Sequence, residues 1–538
     1  MHKRPMALSR SRKSKSSRFR RQCMNDSYRI ATLVDSKYRL REEQIKWLHD
    51  ASMAILDDPG ITSFNERATN ILDQNGCSVR RDKEQNAWQI RFPAKVIERA
   101  LERTPGKVVL GARNPKNKLL LQAEVPRVYF GTGSETNVYL RTEFADYIQK
   151  DNLQAVRKLP VYIQERGTIR HLCQAAKLCN ALPNVDFYIR NVNIQDPEIT
   201  PENKDVHVFL ASLMYMSKHV QAGLVHIDRL DDVLKLAEII AGGPDQFKNN
   251  PFISFITCLI KSPLQMVEDT TEKLIAIAGR GVPVVISSSP QGGSTAPIRE
   301  EGMVALINAE ILAGITLAQM VNPGTPVLYG AVPVRARLDT LHDLYGAPEF
   351  IHYNADCVQM ARHYGIPCYS TAGVGDTKTP GLQTTVEKVC SQLEIAASGA
   401  QYIHYALGLL DKTNVFCPLQ AVLDDAHIGL VRQILRRPTF GQEDSRSAVQ
   451  EIRQVMGSST RLFARHIRKA MRRDLVSPPY PFESRNDEDR VLIQAYDRLQ
   501  EILNGPDEKL EQDVVQQIVE AVPGLLPISR FKPELEMS

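Results

Sequence analysis

The chain has 538 residues, 43% hydrophobic and 24% charged, which is enough apolar content for a large core and for more than one domain. Its longest apolar stretches are broken by charge, proline or glycine short of the roughly 20 residues that span a bilayer, so no transmembrane helix is expected. Nine cysteines are scattered singly, with no CxxC pair and no secretory leader; this fits a reducing cytoplasm and argues against a disulfide framework.

The net charge of +5 comes from one segment, Met1 to Arg21, which holds nine Lys/Arg and no acid and leaves −4 for the remainder. Residues 1–27 read as a disordered basic leader. With no apolar h-region, a targeting role is not preferred, nor is a nucleic-acid arm; Met24 offers an alternative start. From Tyr28 the chain becomes foldable. Leu40 to Asp57 places Ile45, Leu48, Ala51, Ala54 and Ile55 on one helical face, and a second helix covers Asn65 to Asn75. Gly76–Val79 and Trp88–Arg91 alternate as a small hairpin. A helix over Ala94–Arg103 and a strand at Val108–Leu110 follow, so residues 28–125 read as an N-terminal α+β region.

From Arg127 short β-rich runs alternate with long helical ones. The strands are Arg127–Phe130, Phe187–Asn191, Val220–Gly223, Ile253–Ile256, Val282–Ser287, Pro326–Tyr329, Pro367–Tyr369 and Tyr402–Tyr405. Helices separate them, several closed by glycine in the manner of a C-cap: Gly279, Gly365 and Gly399. About eight such units predict an α/β fold, a (β/α)8 TIM barrel over residues 126–437. A doubly wound open sheet is the alternative, disfavoured because no glycine-rich phosphate fingerprint follows the first strand. Beyond Arg437 the β signal disappears. Residues 438–538 form a helical extension, with Ser447–Arg472 and Asp487–Ala521 joined by the breaker Ser477–Phe482.

In a parallel α/β array the loops after strand C-termini carry the chemistry. After the first strand, Gly131–Thr136 reads as a tight turn that lets Glu135 and Asn137 face the mouth. After the sixth, one loop carries Tyr329, Arg335, Arg337, His342, Tyr345 and Glu349; after the seventh comes Asp376 with Lys378. Strand alternation sends Tyr402 and His404 to one face and Tyr405 to the other. Aromatic rings gathered at the mouth suit an organic cation, though core packing accounts for tyrosines equally. No HxxxH, HExxH or paired-cysteine spacing supports a metal site.

The ordered set Tyr129–Gly133, Ser262–Leu264, Gly293–Pro297, Asn308–Gly314, Leu317–Gln319, Asn322–Gly324, Pro326–Gly330, Gly346–Glu349 and Asp376–Lys378 resembles the trimethylamine methyltransferase (MttB) superfamily. The resemblance covers roughly Tyr28 to Arg437. It implies a TIM barrel that moves a methyl group from a methylated amine to the Co(I) of a corrinoid protein docking on the mouth, with the cobalamin supplied by that partner or as free cob(I)alamin and no cofactor bound covalently. Trimethylamine-specific members carry pyrrolysine, and no such residue stands in this chain. That is similar to the branch acting on quaternary amines such as glycine betaine. For such a reaction, barrel position and chemistry make His404, Glu135 and Glu349 the candidate catalytic groups, with Glu135 or Glu349 offering counter-charge to the ammonium. Tyr329, Tyr345 and Tyr405 are candidates for an ammonium cage, Arg335, Arg337 or His404 for a carboxylate, and His342 and Asp376 are further substrate contacts. A homo-oligomer is expected, and neither nucleic acid nor membrane as partner. Gly381 stands where the family more often shows an Asp, which removes any role for that carboxylate. Open alternatives are another methylamine donor, folate as acceptor, or a non-catalytic betaine-binding barrel.

Overall fold

The computed structural model describes residues 28–148, 156–438, 445–459, 461–463 and 488–533; the basic leader and the Ser477–Phe482 breaker lie outside them. Its centre is a mixed α/β unit in which strand and helix alternate. The strands are β1 (Arg127–Phe130), β2 (Phe187–Ile189), β3 (His219–Gly223), β4 (Ile253–Thr257), β5 (Val284–Ser288), β6 (Val327–Ala331), β7 (Cys368–Thr371) and β8 (Tyr402–His404). The helices that follow them in turn are α1 (Ile169–Ala181), α2 (Pro201–Tyr215), α3 (Leu230–Ala241), α4 (Glu268–Gly279), α5 (Glu300–Val321), α6 (Pro348–His363), α7 (Leu382–Ala397) and α8 (Pro418–Leu435). All eight strands are parallel in one nine-stranded sheet, ordered β1-β8-β7-β6-β5-β4-β3-β2, and the short strand Thr32–Leu33 adds to β1 antiparallel. The sheet curls until isolated parallel bridges, Gly131 with Phe187 and Thr136 with Val192, link the ends of β1 and β2.

Alternation along the strands sorts their side chains into two cores. Val220, Ala222, Ile253, Phe255, Val284, Ile286, Val327 and Tyr329 face the helices. Tyr129, Phe187, Ile189, Val285, Leu328, Tyr369 and Tyr402 face inward, where Val108, Leu110, Leu119 and Leu121 of the hairpin Lys107–Leu110/Leu119–Gln122 pack against them. That hairpin therefore covers the inward residues at the start of the strands.

Helix α5 is apolar on all sides, and packing explains it. Its inner face lies on β5 and β6, and the outer face is covered by the helices Glu42–Asp57 and Ala94–Arg103. By length and composition α5 would cross a membrane, contrary to the expectation from the apolar runs, but 89% of its most apolar window is buried in the fold. At Gly314 a Cβ would stand 2.5 Å from Ile286 Cγ2 and 2.8 Å from a Leu259 methyl, so only glycine lets the helix settle this close to β5.

Two local expectations fail. An 11-residue strand, Val138–Ile148, pairs antiparallel with Val156–Arg166, also 11 residues, as a long ribbon between β1 and α1 where no element was placed. Gly279 ends α4 inside the helix; the left-handed residue there is Gly281, at φ 66°. Gly365 and Gly399 do adopt positive φ. In the C-terminal extension, helices Ser445–Met456, Glu488–Asn504 and Gln512–Ala521 are described, and the second and third pack back on α1, α3 and α8.

Lys218, before β3, is buried with Nζ donating to the carbonyls of Cys179 (2.8 Å) and Leu182 (2.9 Å). Burial, with Arg29 nearby, depresses its pKa from 10.5 to about 7. The unfolded chain therefore holds a proton that the folded chain releases between about pH 7 and 10.5. Stability from this group is full above the upper limit and lost as pH falls through the lower. The unfolding free energy of the wild type, from chemical denaturation, should rise across that window by up to about 1.4 kcal/mol per pH unit relative to Lys218→Met. Parallel pH profiles for the two proteins would refute it.

Candidate functional site

The inward positions at the strand C-termini change character from large to small and polar. Gln221 and Gly223 on β3, Ile256 and then Cys258 at the end of β4, Ser287 on β5, Gly330 on β6, Thr371 on β7 and His404 on β8 follow the bulky inner core. Cys258 is accessible yet surrounded by protein, so it borders a recess rather than the outer surface; burial raises its thiol pKa and the neighbouring Ser287 opposes this.

His404 is fully buried, with Nε2 2.7 Å from Thr371 Oγ1. Its ring stacks on Tyr369 (centroids 4.0 Å, 20°) and meets Tyr405 edge-on (3.9 Å, 62°). Burial drives its pKa well below the usual histidine value, so the imidazole is neutral. Tyr405 does not obey strand alternation. Its φ of 66° is left-handed, an unfavourable conformation for a ring-bearing residue, and it turns the ring back to the His404 side. Gly133 makes room: a Cβ there would stand 2.3 Å from Tyr405 Cδ1. Tyr345 joins from the β6 loop, edge-on to Phe350 (5.3 Å) in a small cluster with Val334, Val374 and Leu409 against which Tyr405 packs.

Other expected contacts fall away from these rings. Tyr329 points outward because the inward residues of β6 are Leu328 and Gly330; its hydroxyl donates to Asn308 Oδ1 on α5 at 2.9 Å. Arg337 is exposed and paired with Asp339 at 2.8 and 2.9 Å, and His342 is exposed on the same hairpin. Arg335 is half-buried at the rim, 3.8 Å from Glu349 in the first turn of α6. Glu135 receives both ends of Arg190 (2.7 and 2.6 Å) and Lys204 (2.9 Å). Burial would raise its pKa, but Arg190 and then Lys204 hold it below the usual carboxylate value. It is a neutralised carboxylate, not a free counter-charge. Asp376 accepts from the backbone N–H of Tyr345 (3.0 Å) and Gly346 (2.8 Å), so it pins the loop that delivers Tyr345; burial raises its pKa against those two bonds.

The trimethylamine methyltransferase (MTTB) family profile matches residues 8–145 and 154–507. This chain belongs to that family. The glycine betaine methyltransferase of Desulfitobacterium hafniense (strain Y51) is 26% identical over 441 residues, covering 82% of this chain and 85% of the relative. The trimethylamine methyltransferase MttB of Methanosarcina barkeri (strain Fusaro / DSM 804) is 28% identical over 421 residues, or 77% of this chain and 79% of its own. The crystal structure of the Methanosarcina barkeri monomethylamine methyltransferase (MtmB) aligns over 85% of this chain and 92% of that chain at a TM-score of 0.42 and 12% identity, too distant to bear on the site.

In this methyltransferase the motif Asn308–Gly314 ties neighbouring segments to α5 through buried hydrogen bonds. Asn308 holds the hydroxyls of Tyr329 and Tyr364 (2.9 Å each) and Ser52 (2.8 Å). Glu310, buried in α5, accepts from Ser262 Oγ (2.7 Å), Leu264 N (3.0 Å) and Ser288 Oγ, tying the segment after β4 and the last residue of β5 to one helix. Burial raises its pKa, and those donors oppose the rise. Among the described residues, no group of three or more His, Cys, Asp or Glu is arranged to hold a metal ion. Tyr369, Gln221 and Cys258 escaped the sequence reading; counting inward parity to the strand ends is the signal that would have found them.

Proposed function

We propose that this methyltransferase moves a methyl group from a quaternary amine, glycine betaine foremost, to the Co(I) of a corrinoid carried by a separate protein. The observation that carries the reading is the contact of Tyr369, His404 and Tyr405 at the ends of β7 and β8, with Tyr345 alongside. Ring faces attract an ammonium without forming a bond to it. A quaternary nitrogen leaves as a neutral tertiary amine when the C–N bond breaks, and the electron pair of Co(I) makes the new Co–C bond. The chain therefore has only to orient one N-methyl toward the mouth and exclude water. The relative named a glycine betaine methyltransferase supports the choice of donor.

The docking of a partner protein on the mouth is supported by exposed apolar residues on the loops around it: Leu338 and Leu341 after β6, Leu382 and Val386 at the start of α7. The proposal includes a closed (β/α)8 barrel, flanked by the N-terminal region 28–125 and the C-terminal extension, in a cytoplasmic enzyme. Closure is supported by register. Starting at Tyr129 and following paired residues through Tyr402, Tyr369, Gly330 and Ser287, then β4, β3 and β2, leads to Asn137. That is eight residues further along the starting strand's own chain, the shear of eight-stranded parallel barrels. Homo-oligomer formation fits Val449, Ile452 and Met456, exposed on one face of helix Ser445–Met456.

The test is methylcobalamin formation from cob(I)alamin with a panel of amines, followed by absorbance. Turnover with quaternary amines is expected; failure with every one of them by folded protein would remove the reading.

A further inference from the structure

We infer that Gln221 recognises the anionic end of the substrate, in a chamber beneath the rings that hold its ammonium end. The assignment rests on the quaternary-amine reading. Gln221 lies on the inward side of β3, since Val220 and Ala222 on either side of it pack outward against the helices. Its side chain is fully buried, and neither the amide nitrogen nor the oxygen has a hydrogen-bond partner. Buried amides are nearly always paired, and one left unpaired is unfavourable unless a ligand completes it. The contrast with its neighbour is plain: His219, one inward position earlier, is satisfied at both nitrogens by Gly111 O (2.9 Å) and Ser254 Oγ (2.7 Å).

Space opens directly beyond Gln221. At Gly223, the next inward position, a Cβ would meet only Ile256 O at 3.8 Å. Ile256 is partly accessible and Cys258 openly so. His404 contributes a second unpartnered atom, Nδ1. Its other nitrogen, Nε2, shares a 2.7 Å hydrogen bond with Thr371 Oγ1, so Nδ1 alone is left to meet a ligand.

Charge decides which end of the molecule lies here. The nearby cations have carboxylates beside them: Arg190 is bidentate on Glu135, Arg337 is paired with Asp339, and Arg335 stands 3.8 Å from Glu349. An unpaired, uncharged amide N–H suits a carboxylate whose charge is offset by the ammonium of the same molecule, and it would leave a simple cation's methyls against unpaired amide. The transferred methyl must point out of the mouth, so the opposite end of the substrate points inward to β3.

The experiment is calorimetric titration of the full chain with glycine betaine and with tetramethylammonium, for wild type, Gln221→Met and Gln221→Glu. Gln221→Met should weaken glycine betaine by at least about 10-fold, because a site built to hydrogen-bond a group discriminates strongly once the bond is lost, and tetramethylammonium by less than about 3-fold. Gln221→Glu should weaken glycine betaine further while leaving tetramethylammonium bound. In the wild type, glycine betaine should slow alkylation of Cys258, read by peptide mass mapping, a measurement that needs no variant. Equal losses for both ligands, undiminished betaine affinity in the variants, or an unprotected Cys258 under saturating betaine would overturn the Gln221 assignment while wild-type turnover still stands. Wild type that binds neither ligand would overturn the function as well.

Discussion

Replacing Lys388 with methionine should destabilise the protein by about 3–5 kcal/mol, the usual consequence of removing one partner from a buried ion pair. Lys388 and Asp424 are both inaccessible, with Nζ 3.1 Å from Oδ2. Burial lowers the lysine pKa and Asp424 opposes it. The pair is also a clamp. Lys388 on α7 donates to the carbonyls of Gly373 and Leu409 (3.1 Å to the latter), and Asp424 on α8 accepts from Gly408 N (2.7 Å) and Gln420 Nε2 (2.8 Å). The segments after β7 and β8, which lead to Asp376 and Tyr405, are thereby tied to the two helices behind them. Without the ammonium, the buried Asp424 carboxyl keeps its two donors and loses the cation 3.1 Å away, leaving only His427 Nδ1 at 3.9 Å. The double variant Lys388→Met/Asp424→Leu removes the stranded charge and should recover much of the loss, since apolar replacement of a whole buried pair is often neutral. Chemical denaturation followed by circular dichroism measures both. A single variant within about 1 kcal/mol of wild type, or a double variant no better than the single, would show that the pair does not stabilise the fold in this way.

His404→Ala should lower turnover by more than about 10-fold, because a misplaced methyl donor is costly to in-line transfer. The imidazole lies between Tyr369 and Tyr405, contributing the stacking of ring pairs to both, and its removal lets the rings collapse toward Thr371. The effect should appear in kcat as well as KM. Burial keeps the ring neutral, so the wild-type pH profile should carry no histidine step near pH 6.5 that disappears in the variant. Unchanged kinetics would move the site elsewhere; a step near pH 6.5 abolished by the substitution would show that His404 titrates during turnover.

Much of the architecture was legible because it is local. Most strands of the parallel sheet are short runs of β-branched and aromatic residues, and most of the helices show helical periodicity bounded by glycine or proline; those properties depend on residues a few positions apart. The ribbon Val138–Ile148/Val156–Arg166 was not legible. Its strands carry Arg141, Glu143 and Asp146 among apolar residues, and part of its support comes from a distant helix, through Phe144 against Tyr496 at 5.1 Å.

The identity and order of the eight parallel strands followed from residues alone, as did the expectation of which end of the sheet carries the chemistry, because parallel strands all present the same end. Which side chains meet there did not. Tyr329 and Tyr369 look alike in sequence, but strand parity turns one to Asn308 and the other to His404. Tyr405 reaches the rings only through a left-handed backbone that Gly133, far away in the chain, makes room for. The expected charged groups were taken by partners that no local pattern reveals, Glu135 by Arg190 and Lys204, Asp376 by the backbone of Tyr345 and Gly346. Pairing and direction are set by the whole packed arrangement, since a charge or an amide satisfies itself with whatever tertiary contact brings nearest. Gln221 drew no notice as one more polar residue in a strand; it became a candidate once its neighbours were seen to leave it unpaired.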